Sequence, residues 1–326
     1  MKSDGIASHL SQTGLTEEWV ATTAHRNSHY AQAVRRVMEG GGVSAREAWK
    51  LLQAMAPVPC HAPLVRLGSR FDGGYLVPLD FLGITTALAA GNETNKEFED
   101  DLAEGLGLQV HLCDRSSSED AFSTAWNAEQ QSLCKAWLGE DPFPDFLSIN
   151  DWIRESAPSG NFLLKMDIEG YEYSNLLALE DVFLKRVRIL VVEFHFLHRL
   201  GYPNFFFLAF QPVMERLLSS FDVVHLHPNN YEPLVKLCEN FFVPRVLEAT
   251  FLRKEPSVTT RPKARTPVIL PHPLDQSNAS THHPLFLGPP FLRHADRKRS
   301  EEEQKAALRR WRNLSKGRQG IVGQKP

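Results

Sequence analysis

Cysteine is scarce in this chain of 326 residues, and the four present, Cys60, Cys113, Cys134 and Cys238, have no close paired spacing. That scatter excludes a zinc ribbon, an iron–sulfur motif and a dense disulfide framework. It leaves thiols that read as free, in a reducing compartment. Long apolar runs are also missing, none approaching the roughly 20 residues of a bilayer-spanning helix. The opening Met1-Lys2-Ser3-Asp4-Gly5 lacks the apolar stretch and cleavage site of an export signal. The expectation is a cytoplasmic protein with no membrane span. Overall charge is small, 36 Lys/Arg against 39 Asp/Glu, but it is unevenly spread. Residues 254–326 hold fifteen basic and six acidic residues, a formal +9, which leaves a formal −12 on the rest. A body of that sign repels nucleic acid phosphate, so a nucleic acid partner is not expected, although the tail alone could attract one.

What is present divides into three parts. Residues 1–60 read as a helical extension, with Gly40-Gly41-Gly42 between two helices and Ser44 three positions before Glu47, the spacing of a capping box. Residues 61–253 change character. An Asp72-Gly73-Gly74 turn between short alternating flanks predicts an edge hairpin, and from Ile84 onward strands alternate with helices. Ile84–Ala89, Val110–Cys113, Phe162–Met166 and Arg188–Phe194 read as strands, the last nearly continuous in large apolar residues, as in a sheet covered on both faces. Phe221–His227 and Val246–Leu252 supply a closing pair. The third strand is indistinct, with Phe146–Ile149 its nearest candidate. The fold class is α/β, a doubly wound and mostly parallel sheet with N-terminal helices and a C-terminal tail. Nine prolines from Pro256 onward and basic clusters at 297–299 and 309–310 mark residues 254–326 as a disordered or loosely docked tail with one candidate helix over 301–314.

Chemistry concentrates at the carboxyl ends of those strands, where open α/β sheets bind ligands. Gly91-Asn92 follows the first strand, and Asp114 ends the second, the arrangement in which an acidic side chain accepts hydrogen bonds from ribose hydroxyls. A nicotinamide dinucleotide oxidoreductase uses the same layout, normally with more glycines in the turn; a helix-capping role for Asp114 is the plainer alternative. The run Lys165-Met166-Asp167-Ile168-Glu169-Gly170-Tyr171-Glu172 places three acidic side chains just beyond a buried strand; Glu169 and Glu172 could equally open a helix. Glu193 interrupts an apolar strand and shares a face with His195, which can accept a proton from a hydroxyl near neutral pH. A purely structural Glu–His pair is the competing explanation. His225 and His227 likewise share a face, and with Asp167, Glu193 and His195 they offer donors for a divalent metal. His227 and Asn229 could instead line an acceptor pocket.

The combination of Leu164-Lys165-Met166-Asp167-Ile168-Glu169-Gly170-Tyr171-Glu172 with Phe146–Ile153 before it and Val191–His195 after it resembles the FkbM-type family of class I S-adenosylmethionine-dependent methyltransferases, over about Leu64–Leu252. Asp72-Gly73-Gly74-Tyr75 and His227-Pro228-Asn229-Asn230 are similar to its methyltransferase-like branch. The resemblance implies S-adenosylmethionine as cofactor and O-methylation of a small-molecule hydroxyl, sugar-like acceptors included. On it, Gly91, Asn92, Asp114, Asp151 and Asp167 are expected around the cofactor, and His195, Asp167 and Glu193 at the reaction. Glu169, His227 and Asn229 are then expected at the acceptor. The single-glycine turn departs from the several-glycine loop usual in class I enzymes. A nonenzymatic binding or scaffold protein working through residues 254–326 is the reading of a different class.

Overall fold

The computed structural model describes residues 10, 12–141, 143–238, 241–255 and 268–322. Three helices open the described chain: α1 (Glu17–Arg26), α2 (Ser28–Met38) and α3 (Ala45–Ala54). Each begins where the sequence supplies a cap. Thr16 accepts from the Trp19 amide, and Asn27 accepts from the His29 and Tyr30 amides. Ser44 and Glu47 close the reciprocal box expected from their spacing. The helices are tied to the body by Tyr30, whose hydroxyl donates to the Leu208 carbonyl at 2.9 Å, and by Arg36, stacked 3.9 Å over the Phe207 ring.

The hairpin β1 (Leu64–Gly68) and β2 (Gly74–Pro78) pairs antiparallel from Leu64↔Pro78 to Gly68↔Gly74. It does not extend the main sheet. β2 is buried throughout and lies over the sheet, anchored by Thr250 donating to the Leu76 carbonyl at 2.7 Å. This position brings the Asp72–Tyr75 turn to the carboxyl ends of the central strands.

In chain order there follow β3 (Ile84–Ala90), α4 (Glu97–Asp100, continued as a π turn), β4 (Gln109–Cys113), β5 (Gln131–Cys134), β6 (Trp137–Leu138), β7 (Phe146–Leu147) and α5 (Ile149–Ser156). Then come β8 (Asn161–Met166), α6 (Glu172–Ala178), α7 (Asp181–Leu184), β9 (Val187–Phe194), α8 (Pro203–Phe205), α9 (Gln211–Ser220) and β10 (Phe221–Pro228). The described chain closes with β11 (Val235–Cys238), β12 (Phe241–Val243), β13 (Leu247–Arg253) and α10 (Arg297–Val322). The main sheet runs β10-β13-β9-β8-β3-β4-β5. Only β13 among these seven is reversed, inserted antiparallel between β9 and β10. This is a doubly wound class I methyltransferase-type sheet. β9, buried at every position, shows why its sequence is almost unbroken in aliphatic residues.

One strand differs from the sequence expectation. The third strand of the winding is β5, not Phe146–Ile149. Gln131-Ser132-Leu133-Cys134 is a four-residue edge strand with a half-wet face, so it lacks the apolar run that betrays a central strand. Phe146-Leu147 pairs instead with Trp137-Leu138 in a separate two-stranded ribbon. After β8 the chain forms two short helices, α6 and α7, separated at Leu179-Glu180, and α7 opens at Glu180 in extended conformation.

The C-terminal region also departs from a disordered or loosely docked tail. Residues 256–267 lie outside the described residues. From 268 onward, however, Leu270, Leu287, Phe291 and Leu292 are buried and join the core, and α10 extends across the expected helix. Asp275 lies between two histidines of β10, 3.0 Å from His225 Nε2 and 3.6 Å from His227 Nδ1. Burial opposes its charge, but the two histidines outweigh burial and hold its carboxyl far below the usual range. These anchors are few and separated by proline and charge, which hides them from periodicity. We expect Asp275→Ala to cost about 3 kcal/mol, because it strands two buried histidines facing a lost partner. Urea unfolding at neutral pH measures this, and an unchanged midpoint would show that the strap contributes nothing there.

Candidate active site

The chain reverses its winding direction between β3 and β8, and the carboxyl ends of these strands touch. The Asp167 amide donates to the Ala90 carbonyl at 3.1 Å, and the Gly91 amide donates to the Cys113 carbonyl at 3.2 Å. Gly91 has φ +74°, and a Cβ there would lie 1.6 Å from the Asp167 carbonyl oxygen, so only glycine fits. The turn is then fastened by Asp114. One of its oxygens accepts from the Asn92 and Glu93 amides at 2.8 Å each. The other accepts from the Ser116 amide and hydroxyl and from the Ser117 amide. Burial works against the carboxylate, but these hydrogen bonds prevail and hold its pKa below the usual value.

Beneath this loop the Lys165 ammonium donates to the Gly91 carbonyl and lies 5.8 Å from the Tyr75 ring. The Tyr75 hydroxyl donates to Asp167 at 3.2 Å. The acidic turn after β8 is organised by Glu172, which is fully buried. One oxygen of its carboxylate accepts from the Ile168 amide at 2.9 Å, the Gly170 amide at 3.2 Å and His195 Nδ1 at 3.0 Å. Glu172 thus shapes the turn and orients the histidine at once. Glu169, in the left-handed region at φ +55°, projects its exposed carboxylate to 3.4 Å from His195 Nε2.

His195 is 7% exposed. Burial disfavours its cation, but Glu172, Asp167 and Glu169 together push its pKa up to about 9. Glu193 is buried with one oxygen accepting from Asn229 at 2.7 Å, and it faces Glu248 across the β9–β13 register. Desolvation, reinforced by Asp167 and Glu248, raises the Glu193 pKa well above the ordinary carboxylate range. Asp167, Glu193 and His195 each present one donor atom within 4.8 Å of the others, and Asp72, Glu193 and Glu248 do the same. Either set could hold a divalent cation.

Asp72, Tyr75, Lys165, Asp167, Glu193 and His195 line one cleft of about 1160 Å³ with the Gly91–Asp114 turn, roomy for a cofactor together with a small acceptor. Of the residues singled out in the sequence, it gathers Gly91, Asn92, Asp114, Asp167, Glu169, Glu193, His195 and Asn229. It does not gather Asp151, His227 or His225, the last of which faces Asp275. Asp151 occupies the first turn of α5, capped by Ser148 and paired with exposed Arg154, because Ser148 makes it a helix-opening residue. His227 points instead toward the C-terminal strap, hydrogen-bonded to Asn278 at 3.1 Å. Conversely, Tyr75, Lys165, Asp72 and Arg245 line the cleft without having been singled out for it. Lys165 stands in the signature but reads as part of the strand, and Tyr75 was visible only as the flank of a glycine turn.

Residues 82–225 match the family model of the methyltransferase FkbM domain. The chain carries an FkbM-type methyltransferase domain. No curated protein matches the chain. The FkbM domain is that of S-adenosylmethionine-dependent methyltransferases, which separates this site from the nicotinamide reading that Gly91 and Asp114 alone left open. The matched span runs from β3 into β10. Asp72, Tyr75, Asn229 and Arg245 therefore reach the FkbM cleft from elements outside it. The residues present suit a polar cofactor. The Asn92 side chain, 6% exposed, lies beside the buried Glu99 carboxyl without closing a hydrogen bond to it, leaving both amide atoms unpartnered at the cleft wall. Among the described residues, no helix is long and apolar enough to cross a membrane.

Proposed function

We propose that the protein transfers the methyl group of S-adenosylmethionine to a hydroxyl of a small, sugar-like metabolite. The observation that carries this reading is that Gly91, Asn92 and Asp114 share a single cleft with Asp167, Glu193 and His195. When bound, S-adenosylmethionine supplies an activated methyl on a sulfonium. The Gly91–Glu93 backbone, held by Asp114, receives the cofactor. Because the Asp114 oxygens already accept several donors, its contribution is chiefly to fix that backbone. Asp167 and Glu169 attract the cationic end, and a cation bound there favours the neutral form of the neighbouring imidazole. His195, oriented through Nδ1 by Glu172, then takes the acceptor's hydroxyl proton at Nε2. Glu193 and Asn229 orient the acceptor beside it, or Glu193 retains a metal there. Glu169 borders the acceptor side of the cleft.

The test is incubation of the full chain with S-adenosylmethionine and panels of hydroxylated metabolites, following S-adenosylhomocysteine release and product mass. Expected is a product one methyl heavier on oxygen, lost in Asp167→Asn. Methylation on nitrogen or carbon, or binding of S-adenosylhomocysteine without turnover across sugar, polyol and phenolic panels, would overturn the reading.

A further inference from the structure

We propose that Cys113 and Cys134 form a peroxide-reactive dithiol in the wall of the cofactor cleft, which closes to a cross-strand disulfide and weakens cofactor binding. The two residues are the last in-register pair of β4 and β5, and both are free thiols. Their side chains lie on the same face and influence each other's ionisation, while the Cys113 thiol donates to the Ala136 carbonyl at 3.5 Å. Neighbouring strands lie ~4.7–4.9 Å apart, within the ~4.4–6.8 Å Cα window that a disulfide spans. The Cα separation of this pair is therefore compatible with a disulfide.

The pair is chemically asymmetric. The neighbouring Cys113 outweighs burial at Cys134 and lowers its pKa to about 7, so much of it is thiolate at neutral pH. Cys113 is almost fully buried, and contact with Cys134 together with desolvation keeps it protonated. Cys134 is only partly buried, which gives a small oxidant access to the more nucleophilic member. Cys60 provides contrast within the chain, its thiol pushed up mainly by burial and without a second cysteine in register.

The chemistry balances with hydrogen peroxide as oxidant. The Cys134 thiolate attacks one peroxide oxygen, the O–O bond breaks, and the departing hydroxide takes a proton to leave as water, giving a sulfenic acid. The Cys113 sulfur then attacks the Cys134 sulfur, the S–O bond breaks, and the hydroxyl leaves as a second water with the Cys113 proton. Two thiols and one peroxide yield one disulfide and two waters.

The pair is wired into the cofactor loop. The Cys113 carbonyl accepts from Gly91, the Cys134 carbonyl accepts from the Asp114 and Ala136 amides, and Cys113 Sγ lies 3.5 Å from the Ala136 carbonyl. Cys113, Asp114, Ala136 and Trp137 all line the cleft. A covalent bond between the sulfurs swaps the Cys113 rotamer and pulls on both strand ends that frame Asp114. The coupling to cofactor rests on the functional reading above; the disulfide itself does not.

The experiment treats the reduced full chain with stoichiometric hydrogen peroxide, maps cysteine peptides by mass spectrometry, and titrates S-adenosylhomocysteine calorimetrically before and after. Expected are a linked Cys113–Cys134 peptide with Cys60 unmodified and an S-adenosylhomocysteine dissociation constant raised about tenfold. Dithiothreitol should restore it, and in C134S peroxide should not change it. Oxidation of Cys134 without linkage to Cys113, or linkage with unchanged affinity, overturns the proposal. Should the reduced chain fail to bind S-adenosylhomocysteine, the cofactor reading and the coupling fall together, while the peptide map still decides whether the dithiol closes.

Discussion

Gly91→Ala is expected to abolish S-adenosylhomocysteine binding and to destabilise the fold by at least about 4 kcal/mol. Two effects coincide at this position. The φ of +74° is strained for any residue with a Cβ, at a cost of roughly 1 kcal/mol. The second effect is larger. The added carbon would lie 1.6 Å from the Asp167 carbonyl oxygen and 2.6 Å from its carbonyl carbon, and neither is the yielding end of a flexible side chain. Relief requires the β3 and β8 ends to separate, which breaks the Asp167–Ala90 hydrogen bond and the Lys165 contact with Gly91. Gly83→Ala is the matched control, with φ +78° and nothing within 4 Å of the added carbon. It should cost only the backbone term and leave binding intact. Chemical denaturation and calorimetry of both variants separate clash from strain. Equal losses in the two would show that the close approach at Gly91 carries no weight.

Much of the scaffold around Gly91 can be read from sequence because its signals are local. β3, β4, β8 and β9 are apolar runs bounded by polar residues, and α3 opens with a capping box whose two members stand at fixed spacing. β5 escapes the same reading because four half-polar residues on an edge carry no distinguishing period. The strap from Leu270 to Leu292 escapes because its contacts are all long-range: His225 and His227 announce a shared face, but nothing near them announces Asp275 as the group they face. Sequence also cannot tell that β2 lies over the sheet and not at its edge, since a buried hairpin and an edge hairpin share the same alternation.

The site follows the same division. Residues at strand ends, Gly91, Asp114, Asp167, Glu193 and His195, are legible because a parallel sheet delivers all its carboxyl ends to one crevice. Asp151 resembles them in sequence as an acid just beyond the Phe146–Ile149 stretch, but Ser148 turns it into a helix-opening residue facing solvent. Glu172 is the reverse case. Its place in the run after β8 reads as a helix-opening acid, and it does open α6. What the run does not reveal is that the side chain turns inward to bind two amides and the imidazole of a residue 23 positions later.

That inward turn makes Glu172 a positioning residue with a measurable signature. His195→Ala should lower turnover roughly 10²–10⁴-fold if the imidazole takes the proton. With His195 held up to about 9 by Glu172, Asp167 and Glu169, kcat/KM should rise with pH and level off near that value in the wild type. Glu172→Gln removes the nearest charge while keeping a hydrogen-bonding side chain of the same shape. Its inflection should move down toward the ordinary histidine range of ~6.5, and its plateau at high pH should fall about tenfold or more, because the amide neither stabilises the imidazolium nor fixes the tautomer. A residue that merely shaped the turn would lower the plateau and leave the inflection in place. Stability gives an independent reading with the same sign. A histidine whose folded pKa exceeds its unfolded value contributes stability fully below ~6.5, and that contribution is lost as pH rises through about 9. The wild type should therefore lose unfolding free energy across that window, and Glu172→Gln should show a flatter profile. An inflection that stays near 9 in the variant, with the stability slope unchanged, would transfer the proton-accepting role away from the Glu172–His195 pair and toward Asp167.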